Sequence, residues 1–175
     1  MKKAILFDLD GTLWDAIAPI TDSWNETMKR KMVPFSFDTV KIKSYMGLTP
    51  EETVPLAFPG IPFEEGLALF KRCVQDENRF LAKKPGLLYP GEEEVLALLS
   101  KKYFLGIVSN SDRGYVENYL ASCRMSPYFS YHVCAGDTGL PKWGNMLYAK
   151  KENALDSLFY IGDTLKDKLE SEKAN

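Results

Sequence analysis

Ile5-Leu6-Phe7-Asp8-Leu9-Asp10-Gly11-Thr12-Leu13 is the stretch on which the reading of this chain turns. Four apolar residues, Ala4 to Phe7, run straight into an acidic residue, and a glycine follows shortly after. The run is too short for the core of a signal peptide. It reads as a buried, parallel-type strand ending in a functional loop. Alternate residues of an extended segment point the same way, and beyond the strand the chain turns. Asp8 and Asp10 can therefore converge on one site from different directions. Gly11 permits an unusual backbone angle and lets a ligand approach exposed amides. Thr12 is expected to brace the loop through its hydroxyl. Taken alone, the segment is also compatible with a simple helix-capping turn.

Two carboxylates this close repel each other, so a positive partner is expected beside them. Magnesium fits, because it takes oxygen ligands and bridges carboxylates to phosphate.

Moving outward, the chain changes character twice. From Asp15 to about Lys84 there are helical signals and no convincing strands. Ile20, Trp24 and Met28 recur at helical spacing with charged residues between them. Thr49-Pro50-Glu51-Glu52 is a helix start: Thr49 caps, Pro50 suits the first position and Glu52 completes a capping box. Pro62 opens a further helix, with Leu67, Phe70, Val74 and Phe80 expected on its buried side and an end near Lys83-Lys84. Trp14, Trp24 and Tyr45 could face a ligand, but at this spacing the core reading is preferred.

From Leu87 onward strands and helices alternate. Glu92 to Lys102 reads as a helix, with acidic residues in its first turn and lysines in its last. Tyr103 to Val108 reads as a buried strand, followed by a helix capped by Ser111 or Asp112 and running to about Ser122. Tyr131 to Cys134 and Leu158 to Ile161 read as strands, and Gly144 to Asn153 as a helix. This alternation predicts an α/β fold with a parallel sheet and right-handed crossovers. In such sheets ligands bind beyond the carboxyl ends of the strands. The polar residues there are Asp8 and Asp10, Ser109 and Asn110, and Asp163 and Asp167, with Lys142 in the loop after the third strand. Ser109-Asn110 offers a hydroxyl, an amide and the start of the next helix, which suit an anion or a simple cap equally. Lys142 could supply positive charge against phosphate. Asp163, at a strand end, is the better metal ligand of its pair. Asp167 would bind directly, bind through water, or orient its neighbours.

Taken together, these stations resemble the haloacid dehalogenase superfamily of phosphohydrolases over Ile5 to Asp167. The first motif stands as Asp8-Leu9-Asp10-Gly11-Thr12, the second as Val108-Ser109-Asn110, the third as Lys142, and the fourth as Gly162-Asp163-Thr164-Leu165-Lys166-Asp167. Within that superfamily, Tyr45-Met46-Gly47-Leu48 and Tyr89-Pro90-Gly91 are similar to segments of the phosphoglycolate-phosphatase-like branch. The resemblance implies a Rossmann-like core, residues 1–15 and 86–175, with an inserted helical cap, residues 16–85, that closes over small substrates. It implies hydrolysis of small phosphate monoesters, with Asp8 as nucleophile and Asp10 as acid and base. Gly11, Ser109, Asn110 and Lys142 would hold the phosphoryl group. Mg2+ would be held by Asp8, Asp10 (through its carbonyl) and Asp163, and by Asp167 directly or indirectly. A hexose-phosphate mutase, or a non-catalytic binding protein on the same fold, would carry the same motifs. Relatives commonly have Lys-Pro-x-Pro at the third motif, whereas here Lys142 precedes Trp143, Gly144 and Asn145. A different stiffness is therefore expected at that loop. The family usually continues with a further strand, so the C-terminal end of the core is expected to be short, with 158–161 as an open edge.

Composition narrows the partners. A net charge of −2 and the absence of a basic tract argue against a nucleic-acid polymer. No apolar run is long enough to span a membrane. The three cysteines, Cys73, Cys123 and Cys134, form no C-x-x-C pair and read as reduced thiols. The cytoplasm is the expected location. Charge in the helical segment is balanced and names no substrate, and the oligomeric state is left open.

Overall fold

A computed structural model describes residues 1–174. The core is built on strand β1 (Lys3–Phe7), whose last four residues are buried. It is flanked by β4 (Phe104–Ser109) and β6 (Ser157–Ile161), both parallel to it. Beyond β4 lies β5 (Tyr131–Cys134), giving the order β5-β4-β1-β6. The fold is thus α/β on a four-stranded parallel sheet. On one face Ala4, Leu6, Val108, Val133 and Leu158 pack with Met146, Ala149, Leu155 and Ala174. On the other, Phe7 meets Phe129 edge-on at 6.0 Å, and Ile5, Leu105 and Ile107 are buried. β5 and β6 are the two edges of this sheet, and on β6 Phe159 is 61% and Ile161 42% exposed.

Helices α5 (Glu92–Leu99), α6 (Tyr115–Ser122), α7 (Ala135–Thr138), α8 (Lys142–Glu152) and α9 (Leu165–Lys173) join or follow the strands. Two expectations need correction. The helix after β4 is capped neither by Ser111 nor by Asp112. It starts at Tyr115, after Gly114 in the left-handed region at φ 88°, while the Asp112 carboxylate accepts from the Arg113 amide at 2.8 Å. Lys142 does not lie in a loop either, because it is the first residue of α8, directly after Pro141. The segment carries neither proline of the common Lys-Pro-x-Pro motif and is held by hydrogen bonds instead. Asn145, fully buried, accepts from the Thr138 hydroxyl at 2.6 Å and donates to the Leu140 carbonyl at 3.3 Å. The Trp143 amide donates to Glu170 at 3.2 Å.

The structure adds a second, antiparallel ladder to the expected elements. β2 (Trp14–Asp15) pairs with β3 (Leu87–Leu88), Trp14 opposite Leu88 and Asp15 opposite Leu87. Between them the chain forms a separate helical unit, residues 16–86, distinct from the unit made by Met1–Asp15 and the chain from Leu87 onward. The helical unit contains α1 (Ile17–Lys31), α2 (Thr39–Tyr45), α3 (Pro50–Ala57) and α4 (Phe63–Leu81). The Thr49–Glu52 capping box forms as expected, with both reciprocal bonds present. Trp24 is core: Phe37, Tyr45, Phe58 and Phe70 surround its ring at 5.2 to 6.4 Å. The buried side of α4 differs from the apolar pattern. Leu67, Phe70, Val74 and Phe80 are only half-buried, and Gly66, Cys73, Asp76, Glu77 and Leu81 face inward. The two acids are tolerated because they are paired. Glu77 accepts from the Trp24 indole at 2.7 Å, and Asp76 binds Thr27, Arg30 and Arg72.

Candidate active site

Three parallel strands deliver their polar residues to one end of the sheet. Asp8 continues β1 by one residue, its amide donating to the Ile161 carbonyl at 2.8 Å. The chain then folds back sharply. The Leu9 carbonyl accepts from the amides of Thr12, Leu13 and Trp14 at 3.2, 2.9 and 3.3 Å, and the Gly11 amide donates to Trp14. Gly11 sits at φ +77°, and a Cβ there would come within 2.3 Å of an Asp163 carboxylate oxygen. Both facts demand glycine. The Thr12 hydroxyl does not brace this loop. It is buried with no hydrogen-bond partner among the described residues, as is that of Ser111.

Lys142 is the centre of charge. Its ammonium lies 2.9 Å from Asp8 Oδ1 and 2.6 Å from Asp167 Oδ1. The three side chains are only 5%, 11% and 4% exposed. Burial acts to strip Lys142 of its proton, but Asp8 and Asp167 outweigh it and raise its pKa above the usual range. Asp167 is the converse case: burial favours its neutral form, yet Lys142 and Thr164 prevail and lower its pKa. For Asp8 burial wins over the pull of Lys142, so its pKa is raised. The second oxygen of Asp167 is also committed, accepting from the Thr164 amide at 3.0 Å and hydroxyl at 2.5 Å. Asp163 follows β6 and is exposed. Asp8, Asp163 and Asp167 each offer an oxygen within 4.8 Å of the others, a donor set suited to a hard divalent cation.

Asp10 is turned differently. Its Oδ1 accepts from the Tyr115 hydroxyl at 2.6 Å and from the Trp14 indole at 3.1 Å. Burial lifts its pKa to about 6, against the opposing hydrogen bond from Tyr115. Ser109, almost wholly buried, accepts from the Ser111 amide at 3.1 Å, which occupies a lone pair and leaves its proton to donate. Asn110 follows it, half-buried. The amino end of α6 lies farther along the chain than expected, so it does not begin beside Asn110. Asp8, Lys142, Asp163 and Asp167 therefore form one cluster. Asp10 is tied to its neighbours by Trp14 and Tyr115, and Ser109 and Asn110 occupy the adjacent strand end. Trp14 is fully buried, and its bond to Asp10 combines a core role with a polar one. Its spacing of four residues from Asp10 was the available signal. Tyr115 had none, since it meets Asp10 across 105 positions.

The family model described as haloacid dehalogenase-like hydrolase matches residues 5–175. A phosphoglycolate phosphatase of Nitrosococcus oceani is 29% identical over 189 residues, covering 99% of this chain and 80% of its own. A protein of Dickeya dadantii named probable phosphatase IndB is 26% identical, covering 99% and 78%. A haloacid dehalogenase-like hydrolase from Streptococcus pneumoniae superposes with a TM-score of 0.82 at 23% identity, over 99% of this chain and 81% of that one. At that identity the last likeness speaks for the fold. Among the described residues no helix is long and apolar enough to cross a membrane.

Proposed function

This chain belongs to the haloacid dehalogenase-like hydrolases, and from that premise we propose that it hydrolyses small phosphate monoesters through an aspartyl-phosphate on Asp8. The observation that carries the proposal is the Lys142 cluster: a buried ammonium between Asp8 and Asp167, with Asp163 within reach of both acids. Such a cluster suits a dianionic phosphoryl group, because the lysine offsets its charge and fixes the attacking carboxylate.

In the first step an Asp8 oxygen attacks phosphorus, the new P–O bond forms, and the ester P–O bond breaks. Asp10 gives its proton to the departing oxygen. In the second step Asp10 takes a proton from water, whose oxygen attacks phosphorus and releases phosphate and free Asp8. Lys142 and the Ser109 hydroxyl hold the phosphoryl oxygens, with Gly11 admitting them close to the loop and Asn110 flanking them. The donor set fits Mg2+: Asp8, Asp163 and the Asp10 carbonyl would hold it, and Asp167, both oxygens already engaged, would orient Lys142 instead. Such an ion supplies neutralisation of negative charge on the transferring group. The names of the relatives favour phosphoglycolate or a similar small ester as substrate. Three free thiols, Cys73, Cys123 and Cys134, accord with a reducing compartment such as the cytoplasm.

The test is turnover of p-nitrophenyl phosphate and of 2-phosphoglycolate with magnesium. Activity should vanish with chelator and in Asp8→Asn. Undiminished turnover in Asp8→Asn would remove Asp8 from the reaction.

A further inference from the structure

We infer that Tyr115 is a positioning residue for Asp10, holding its carboxyl so that the transferable proton is carried on Oδ2. The inference rests on the reading of Asp10 as proton donor given above. Both donors that reach Asp10 converge on one oxygen: the Tyr115 hydroxyl at 2.6 Å and the Trp14 indole N–H at 3.1 Å meet at Oδ1. An indole N–H can only donate, so it must find a lone pair there. With the phenol claiming a second, Oδ1 is a poor place for a proton and Oδ2 becomes the acid oxygen.

The two donors are themselves fixed. Trp14 is fully buried and makes T-shaped contacts with the rings of Tyr115 and Tyr119, at 5.5 and 5.4 Å. The Tyr119 hydroxyl is in turn tied to Glu92 at 2.6 Å. Tyr115 is 4% exposed and is the first residue of α6, aimed by the left-handed turn at Gly114. The terminal torsion of an aspartate is soft, so without these bonds its two oxygens exchange freely. Removing the phenol oxygen would keep the aromatic ring and leave the carboxyl held by the Trp14 indole alone, freer to turn. The acid would then spend part of its time with the wrong oxygen facing the ester.

The experiment compares kcat/KM on two esters, because this ratio reports steps up to the first phosphoryl transfer. An alkyl monoester such as glycerol 2-phosphate needs a proton at the leaving oxygen, whereas p-nitrophenolate departs without one. In Tyr115→Phe the alkyl ester should lose about tenfold and the aryl ester less than about twofold, a fraction of what a whole general acid supplies. Asp10→Asn should show the same tilt, more strongly. Trp14→Phe, which removes the other donor, should show it more weakly and serves if Tyr115→Phe does not fold. Equal losses on both esters, or no loss, would reduce the hydroxyl to packing and overturn the inference while Asp10→Asn keeps its tilt. If Asp8→Asn remains active, or the wild type turns over neither ester, the reading of the site fails first, and this inference with it.

Discussion

Replacing Lys142 by methionine isolates what the charge at the centre of the cluster contributes. Methionine keeps an unbranched chain in the space and removes the ammonium. Two carboxylates, on side chains 11% and 4% exposed, would then face each other with no counter-charge. Breaking a buried pair by removing one partner costs about 3–5 kcal/mol, because the other charge is left uncompensated. Part of that is escaped if Asp8 takes up a proton, and its raised pKa makes it the acid that does so. The helical unit is a separate body, so a local probe is needed. Hydrogen exchange of β1 and β4 amides, followed in chelator, serves that purpose. Exchange should accelerate by roughly two to three and a half orders of magnitude in Lys142→Met. The pH dependence has a definite sign. Asp167 has a lowered pKa, so its contribution is present above the unfolded value of 3.8 and is lost as pH falls through its folded value. Lys142 has a raised pKa, so its contribution is present below 10.5 and is lost as pH rises through the folded value. The gap between wild type and variant should be widest between those limits. In Lys142→Met/Asp167→Asn a coupling of about 0.5–3 kcal/mol should return. A change below about 1 kcal/mol in the single variant, or no recovery in the double, would refute the view that Lys142 holds these acids together.

Asp10 gives a prediction of the opposite sign. Its pKa rises to about 6 from 3.8, so above about pH 6 its ionisation opposes folding, and the penalty disappears below the unfolded value. In chelator at pH 7.5, Asp10→Asn should be more stable than wild type by up to about 3 kcal/mol, with the gain vanishing near the unfolded pKa; thermal melts at several pH values would show it. Gly11→Ala forces a Cβ to 2.3 Å from an Asp163 oxygen at a positive φ. It should lose about 1–3 kcal/mol of stability, and a magnesium titration of turnover should shift to higher concentration; Asp163→Ala in the same chain should relieve the clash but not the backbone strain.

Much of the core was legible because its signals are local. Ala4 to Phe7 is apolar without interruption, and a strand buried on both faces reads that way. Thr49 to Glu52 states its own start, since the capping residues bond to one another. Non-local features were not legible. β2 and β3 have two residues each, too few for any period, and their pairing is decided by where the chain returns at Leu87. The inward face of α4 carries Asp76 and Glu77, which an apolar pattern places outside. They are inside because Arg30, Arg72 and Trp24 meet them from elsewhere in the chain or along the helix. At the site, Asp8, Ser109 and Asp163 followed from the strand ends. Lys142 opens its helix directly after Pro141, a start that the sequence places at Gly144 because glycine there reads as the boundary. That Asp10 turns toward Tyr115 could not be read at all, because nothing near Tyr115 marks it for a carboxylate.

The small ladder of Trp14 and Asp15 against Leu88 and Leu87 has a consequence for how the gene could change. Departure and return lie on adjacent, antiparallel backbone segments, so topologically the core meets residues 16–86 as an oversized hairpin turn. Closure entropy grows only with the logarithm of loop length, each doubling adding about 0.6 kcal/mol. The core is therefore nearly indifferent to how long the excursion is. Selection could exchange, enlarge or excise it while Asp8, Lys142 and Asp163 stay in register.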